Sequence, residues 1–131
     1  MTTTEQGTPE RVTYDAAASA DVPEGGRLVL NIGRVTVGIF RFKGELYAYE
    51  NVCAHQGGPV CQGRLVHRVV EVIDEGKRTT GMRFDEDQLH IVCPWHGAEY
   101  NVVTGVHPSY PEFRLRRFAV TEEGGTVRVS L

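Results

Sequence analysis

What the chain lacks narrows its chemistry before any motif is considered. Its 131 residues contain no apolar run near the roughly 20 residues that a membrane-spanning helix needs. The start, Met1-Thr-Thr-Thr-Glu-Gln-Gly, has no basic region, hydrophobic stretch or twin arginines, so it is not expected to act as an export signal. A formal net charge of −3, with no basic cluster interleaved with aromatics, argues against a nucleic-acid partner. Long amphipathic helical patterns are missing, and so are internal repeats and low-complexity segments. Cysteine is scarce. Three thiols are an odd number, which fits a reducing cytoplasm better than a disulfide-stapled secreted fold.

The residues that are present describe an all-β chain. Fifteen glycines and six prolines supply many turns, and 40% hydrophobic content suits a single globular domain with one main core. Residues 1–9 are polar and expected to be a disordered tail, leaving 10–131 as the domain. Leu28, Leu30 and Ile32 alternate with other residues, as do Val35, Val37 and Ile39, the pattern of half-buried strands. Lys43-Gly44 separates Ile39–Phe42 from Leu46–Tyr49, a hairpin signal, and the second strand leads directly to Cys53. Tyr47 and Tyr49 share one face of it and are read as packing groups.

Further on, Val66, Val70 and Val72 alternate toward a charged turn at Asp74-Glu75-Gly76-Lys77, and Thr80, Met82 and Phe84 alternate on the return. Leu89–Val92 and Tyr100–Val103 flank a second cysteine, followed by a Thr104-Gly105 turn. The closing strands are expected over Phe113–Val120 and Thr126–Leu131, joined at Glu122-Glu123-Gly124-Gly125. A change of parity at Arg116-Arg117 predicts a bulge, with a surface bend as the other way to produce it. Arg114, Arg116 and Arg117 read most simply as a solvated face, and second as an anionic docking patch.

The chemistry lies in two short loops, Cys53-Ala-His55 and Cys93-Pro-Trp-His96, each with one soft and one imidazole ligand. Two cysteines and two histidines can bind a structural zinc ion tetrahedrally. They can also hold a [2Fe–2S] cluster, thiolates on one iron and imidazoles on the other. Gly57, Gly58, Gly63 and Gly97 permit tight turns and close approach of amide groups to sulfur, while Pro59 and Pro94 restrict the loops. A Cys53–Cys93 disulfide would leave both histidines unexplained.

Cys53-Ala-His55-Gln-Gly57-Gly58-Pro59 and Cys93-Pro94-Trp95-His96-Gly97-Ala98-Glu99-Tyr100 resemble the two cluster loops of Rieske-type proteins, most strongly across Asn51–Gly63 and Ile91–Gly105. The Gly-Gly-Pro after His55 and the Pro-Trp-His-Gly around His96 favour iron–sulfur over zinc. The resemblance implies one [2Fe–2S] cluster per chain, with Cys53 and Cys93 on the inner iron and His55 and His96 on the outer. It implies an antiparallel sandwich or barrel-like base with an inserted two-loop cluster-binding subdomain. Residues 64–87, longer than the usual interval, become an inserted hairpin, either an edge extension or a partner-docking surface.

In function, the resemblance implies a soluble, cytoplasmic Rieske ferredoxin with no independent catalytic apparatus. It would carry single electrons from a flavin- or nicotinamide-linked reductase to a terminal oxygenase. The small subunit of an assimilatory nitrite reductase or related complex is the alternative, and a zinc-binding interaction module is a third class. Respiratory members of the family carry a membrane anchor and a loop disulfide. Here Trp95 stands where one of those cysteines would fall, so Cys61 is expected to be a buried small side chain. High-potential members place a serine where this chain has Ala98, whereas Tyr100 matches the position that hydrogen-bonds a cysteine sulfur. His67, His90 and His107 are expected at surface or strand positions, and the His107–Pro111 segment either shields the cluster or is an ordinary connection.

Overall fold

The computed structural model describes residues 12–54, 57–73, 79–95 and 97–131, with side-chain surroundings described outside 68–73 and 79–87. The tail at 1–9 and the charged turn at Asp74-Glu75-Gly76-Lys77 lie outside the described residues. Among the described residues nine strands follow one another: β1 (Thr13–Ala18), β2 (Arg27–Ile32), β3 (Val35–Phe42), β4 (Glu45–Glu50), β5 (Arg64–Ile73), β6 (Thr79–Val92), β7 (Glu99–Asn101), β8 (Arg117–Glu123) and β9 (Thr126–Ser130). They form a six-stranded sheet in the order β1-β9-β8-β4-β3-β2 and a three-stranded sheet in the order β5-β6-β7. Every paired neighbour is antiparallel.

The predicted hairpins form for the expected local reasons. Leu28, Leu30 and Ile32 of β2 face Ile39, Val37 and Val35 of β3, so the two alternating sets meet across one pair. At the β3–β4 turn both Lys43 (φ 52°) and Gly44 (φ 81°) take left-handed conformations. That turn matches the twist of the flanking strands. The Glu24 carboxylate accepts the N–H groups of both turn residues, which ties the turn to the chain before β2.

Among the described residues the buried hydrophobic side chains form two clusters rather than one main core. One, around Val37, Ile39, Ala48, Phe118, Val127 and Val129, fills the base. The other, around Phe40, Phe42, Tyr49, Cys53, Cys61, Ile91, Cys93 and Tyr100, lies toward the cysteine loops. β3 is therefore not half-buried: Val37, Gly38, Ile39 and Phe40 are all buried, with alternate side chains entering opposite clusters. Tyr47 and Tyr49 share the loop-side face as predicted, and both pack there.

Two expectations near the C-terminus need correction. The strand read over Phe113–Val120 begins at Arg117 and extends to Glu123, and its pairings with β4 and β9 run without a register shift. The parity change therefore arises where the chain enters the strand and not from a bulge within it. Leu115 enters the loop-side cluster and Phe118 the base cluster, so the chain changes cores between them. Outside every strand expected from the sequence, β1 pairs with β9 and carries a register shift between Asp15 and Ala17.

One contact couples the base to the first loop. A Cβ on Gly38 would lie 2.4 Å from the Cys61 Cβ and 2.5 Å from its sulfur. Gly38→Ala is expected to destabilise the fold by about 1–3 kcal/mol through overpacking. Urea unfolding of a double-mutant cycle checks this. Cys61→Gly should reduce the Gly38→Ala penalty, whereas Cys61→Ala, which keeps the obstructing Cβ, should reduce it less. Strict additivity for both pairs would refute the contact.

Candidate metal centre

The hairpins deliver the two cysteines to one place. β4 ends at Glu50, three residues before Cys53, and β6 ends at Val92, immediately before Cys93. The loops that follow have the same backbone design. In the first, the Cys53 N–H donates to the Gly58 carbonyl and the Gly57 N–H donates to the Cys53 carbonyl, both at 2.7 Å. In the second, the Cys93 N–H donates to the Ala98 carbonyl at 2.7 Å and the Gly97 N–H to the Cys93 carbonyl at 3.0 Å. The closing glycine has φ 76° in one loop and 73° in the other, a conformation that a side chain disfavours. Two tight loops of one kind, each opening on a cysteine, are what the spacing implied.

The loops pack directly on each other. A Cβ on Gly58 would sit 2.8 Å from the Trp95 ring and 3.0 Å from the Cys93 sulfur, so only glycine lets the first loop lie against the second. At the stem, a Cβ on Gly63 would fall 1.8 Å from the Val92 carbonyl oxygen. The Arg27 guanidinium donates to the Gly63 carbonyl and fastens that stem to β2. Cys53 and Cys93 are both buried and form no disulfide. The Tyr100 hydroxyl lies 3.2 Å from the Cys53 sulfur, in the position its match to the family implied.

His55 and His96 lie outside the described residues, so the structure brings together the two cysteines and leaves the histidine pair to the sequence. Among the described residues no group of three or more His, Cys, Asp or Glu side chains is placed to hold a metal ion. What is described fits a cluster requiring two thiolates: buried sulfurs on adjacent loops, with a hydroxyl in reach of one. No helix among the described residues is long and apolar enough to cross a membrane.

The remaining candidates take structural places. Cys61 is fully buried, as expected, in the space left by Gly38, and the Asn51 side chain accepts its N–H at 2.8 Å. Burial pushes its thiol from 9.0 to about 12, outweighing the Gly38 backbone hydrogen bond and the Arg27 charge that favour the thiolate. A metal ligand needs that thiolate. His67 lies on β5 with its ring 6.5 Å from Phe42. His90 is a strand residue but not a surface one: it is buried on β6, with Nδ1 against the Glu99 carboxylate of β7. The alternating pattern of β6 shows Leu89 and Ile91 facing inward and gives no sign that Glu99 covers the other face.

Arg114, Arg116 and Arg117 are all exposed, as a solvated face requires, and each also touches its neighbours. Arg116 stacks over Phe118, Arg117 stacks over Tyr47 and donates to the Val103 carbonyl, and Arg114 donates to the Pro111 carbonyl.

The raised Cys61 thiol gives a signed expectation. The native state keeps a proton that the unfolded chain releases near pH 9.0, so this group's stabilisation is complete below that pH and lost as pH rises toward about 12. Tyr49, also raised by burial to about 12, adds a similar loss that starts from 10.0. Urea midpoints measured between about pH 8 and pH 11 should fall less steeply for Cys61→Ala than for the wild type. Parallel slopes would show that the thiol does not contribute.

Comparison with known proteins places this geometry. The chain is 28% identical over 117 residues to the 3-phenylpropionate/cinnamic acid dioxygenase ferredoxin subunit of Escherichia coli (strain K12), covering 88% of this chain and 91% of that one. Among solved structures it resembles a complex of reduced oxygenase and oxidized ferredoxin in carbazole 1,9a-dioxygenase, with a TM-score of 0.64 and 26% identity over 92% of this chain and 94% of that one. It shares its fold with a Mycobacterium tuberculosis protein assigned as an NADH-dependent nitrite reductase small subunit, with a TM-score of 0.66 and 16% identity over 94% and 97% of the two chains. The Rieske [2Fe-2S] domain family matches residues 12–119, the stretch that runs from β1 into β8 and holds both cysteine loops. The chain belongs to that family, and its cofactor is a [2Fe–2S] cluster.

Proposed function

We propose that the chain is a soluble one-electron carrier of Rieske ferredoxin type, working in the cytoplasm between a flavin- or nicotinamide-linked reductase and a terminal oxygenase. The observation that carries this reading is the pair of like-built loops, which bring buried Cys53 and Cys93 together with the Tyr100 hydroxyl at one sulfur. Relatives of similar length named as ferredoxin components of dioxygenase systems support it. Cys53, His55, Cys93 and His96 hold one cluster. When bound, that cluster supplies a one-electron couple at a higher potential than a plant-type all-thiolate cluster.

The chain's own residues do the rest. Gly58 and Gly63 let the loops close on each other, Tyr100 donates to the Cys53 sulfur, and exposed Trp95 lies over Gly58 at the outer face. The pairing of β5 with β6 supports reading 64–87 as an inserted hairpin that extends the loop-side sheet. Oxygen chemistry belongs to the partner.

Iron and acid-labile sulfide analysis tests ligation directly. About two of each per chain are expected, with a low-temperature electron spin resonance signal in the reduced form. Cys53→Ser and Cys93→Ser should lose the cluster, and Cys61→Ser should keep it. A colourless protein carrying one zinc ion would sink the reading, and co-purification with a large sirohaem protein would move it to the nitrite reductase alternative.

Redox titration gives a second check. Ala98 has no side-chain donor for a bridging sulfide, and no disulfide clamps the loops. The midpoint should therefore lie in the lower part of the Rieske range of about −150 to +300 mV, and Ala98→Ser should raise it. A wild-type value near the top of that range would contradict the role given to Ala98.

A further inference from the structure

The segment after the second loop folds back on itself around one histidine. Val106 and Arg114 form a β-bridge, the His107 N–H donates to the Phe113 carbonyl at 2.9 Å, and the Phe113 N–H donates to the Tyr110 carbonyl at 2.9 Å. Inside this strap, His107 Nδ1 accepts the backbone N–H groups of Ser109 (3.0 Å) and Tyr110 (3.2 Å). Two donors aimed at one ring nitrogen require that it carry the lone pair, so the neutral ring holds its proton on Nε2. Tyr110 and Phe113 flank the ring at 5.2 and 6.3 Å between centroids. The ring also meets Tyr100 edge to face, at 5.9 Å and 88°. Tyr100 is fully buried, and its hydroxyl is the group 3.2 Å from the Cys53 sulfur.

We propose that His107 is a positioning residue for the redox centre: held by its own turn, its ring fixes the tilt of Tyr100 and keeps that hydroxyl directed at the Cys53 sulfur. A phenol oxygen lies on the axis of its ring, so spinning the ring leaves the oxygen in place while tilting the ring carries it away. An edge-to-face neighbour opposes the tilt. Hydrogen bonds to cluster sulfur favour the more negative, reduced state and raise the potential. His107 thus sets the potential through Tyr100 without touching a ligand. The proposal rests on the Rieske ferredoxin reading and adds to it the residue that tunes the carrier.

The test uses the full, iron-loaded chain and reads midpoint potential and the electron spin resonance of the reduced form. His107→Asn keeps an oxygen able to accept the two backbone N–H groups but removes the ring. It should lower the midpoint in the same direction as Tyr100→Phe, and it should lower it no further in a Tyr100→Phe background. His107→Phe, which keeps a ring edge, should lie closer to the wild type than Asn does. His107→Leu removes both functions and, as the second variant, should behave like Asn. A wild-type midpoint in His107→Asn, or an undiminished drop in the Tyr100→Phe background, would overturn the role of His107 while leaving the carrier intact. A wild-type chain with no Rieske signal would overturn both.

Discussion

β3 and β4 form a wall with a hydrophobic cluster on each side, and the position of the metal-binding loops depends on that wall. Val37, Ile39 and Ala48 project into the base cluster, while Phe40, Phe42 and Tyr49 project into the cluster beneath the loops. A strand buried on both faces can neither slip by one residue nor rotate, because either movement would exchange the two sets of side chains. Cys53 follows three residues after this fixed element. The Tyr49 hydroxyl reaches across to donate to the Val102 carbonyl at 2.7 Å, so the wall also holds the chain leaving the second loop. Rigidity in the base thus becomes position at the sulfurs.

The loops themselves depend on missing side chains. At Gly38, Gly58 and Gly63 a Cβ would strike, respectively, Cys61, Trp95 with Cys93, and the Val92 carbonyl. These three close approaches join β3 to the first loop, the first loop to the second, and the first loop's exit to the second loop's entry. Where atoms approach this closely, a single methyl group is felt as backbone displacement rather than as a small packing change.

Much of this was legible in the sequence because it is local. The Lys43-Gly44 turn, the alternating β2–β3 pair and the delivery of β4 to Cys53 all follow from short-range pattern, and the structure has each of them. The loop glycines and the cysteine spacing also named the site. What was not legible depends on contacts between distant segments. The pairing of β1 with β9 joins the two ends of the described chain, and no local pattern announces it. The parity change at Arg116-Arg117 reads as a bulge or a surface bend, and only the separate destinations of Leu115 and Phe118 show a change of core instead. Likewise, His90 looks solvent-facing by alternation until Glu99 of the three-residue β7 is laid beside it.

Three buried cysteines in one chain show why burial alone says little about a thiol's role. Cys53 and Cys93 open loops whose glycines leave their carbonyls and N–H groups satisfied within five residues, and a tyrosine hydroxyl stands at the Cys53 sulfur. Cys61 is equally buried, yet its sulfur lies 3.7 and 3.8 Å from the carbonyl oxygens of Tyr49 and Glu50. Carbonyl oxygens repel a thiolate, and the desolvated thiol stays protonated. Desolvation keeps Cys61 neutral even though the Gly38 backbone N–H and the Arg27 charge favour its thiolate. The Tyr100 hydroxyl suits a Cys53 sulfur that gains negative charge on reduction, whereas desolvation suits Cys61 to a neutral thiol that fills space. The spacing along the chain distinguishes these cysteines by their neighbours in sequence; the structure distinguishes them by the loop each one opens and by how fully burial outweighs the charges and donors near its sulfur.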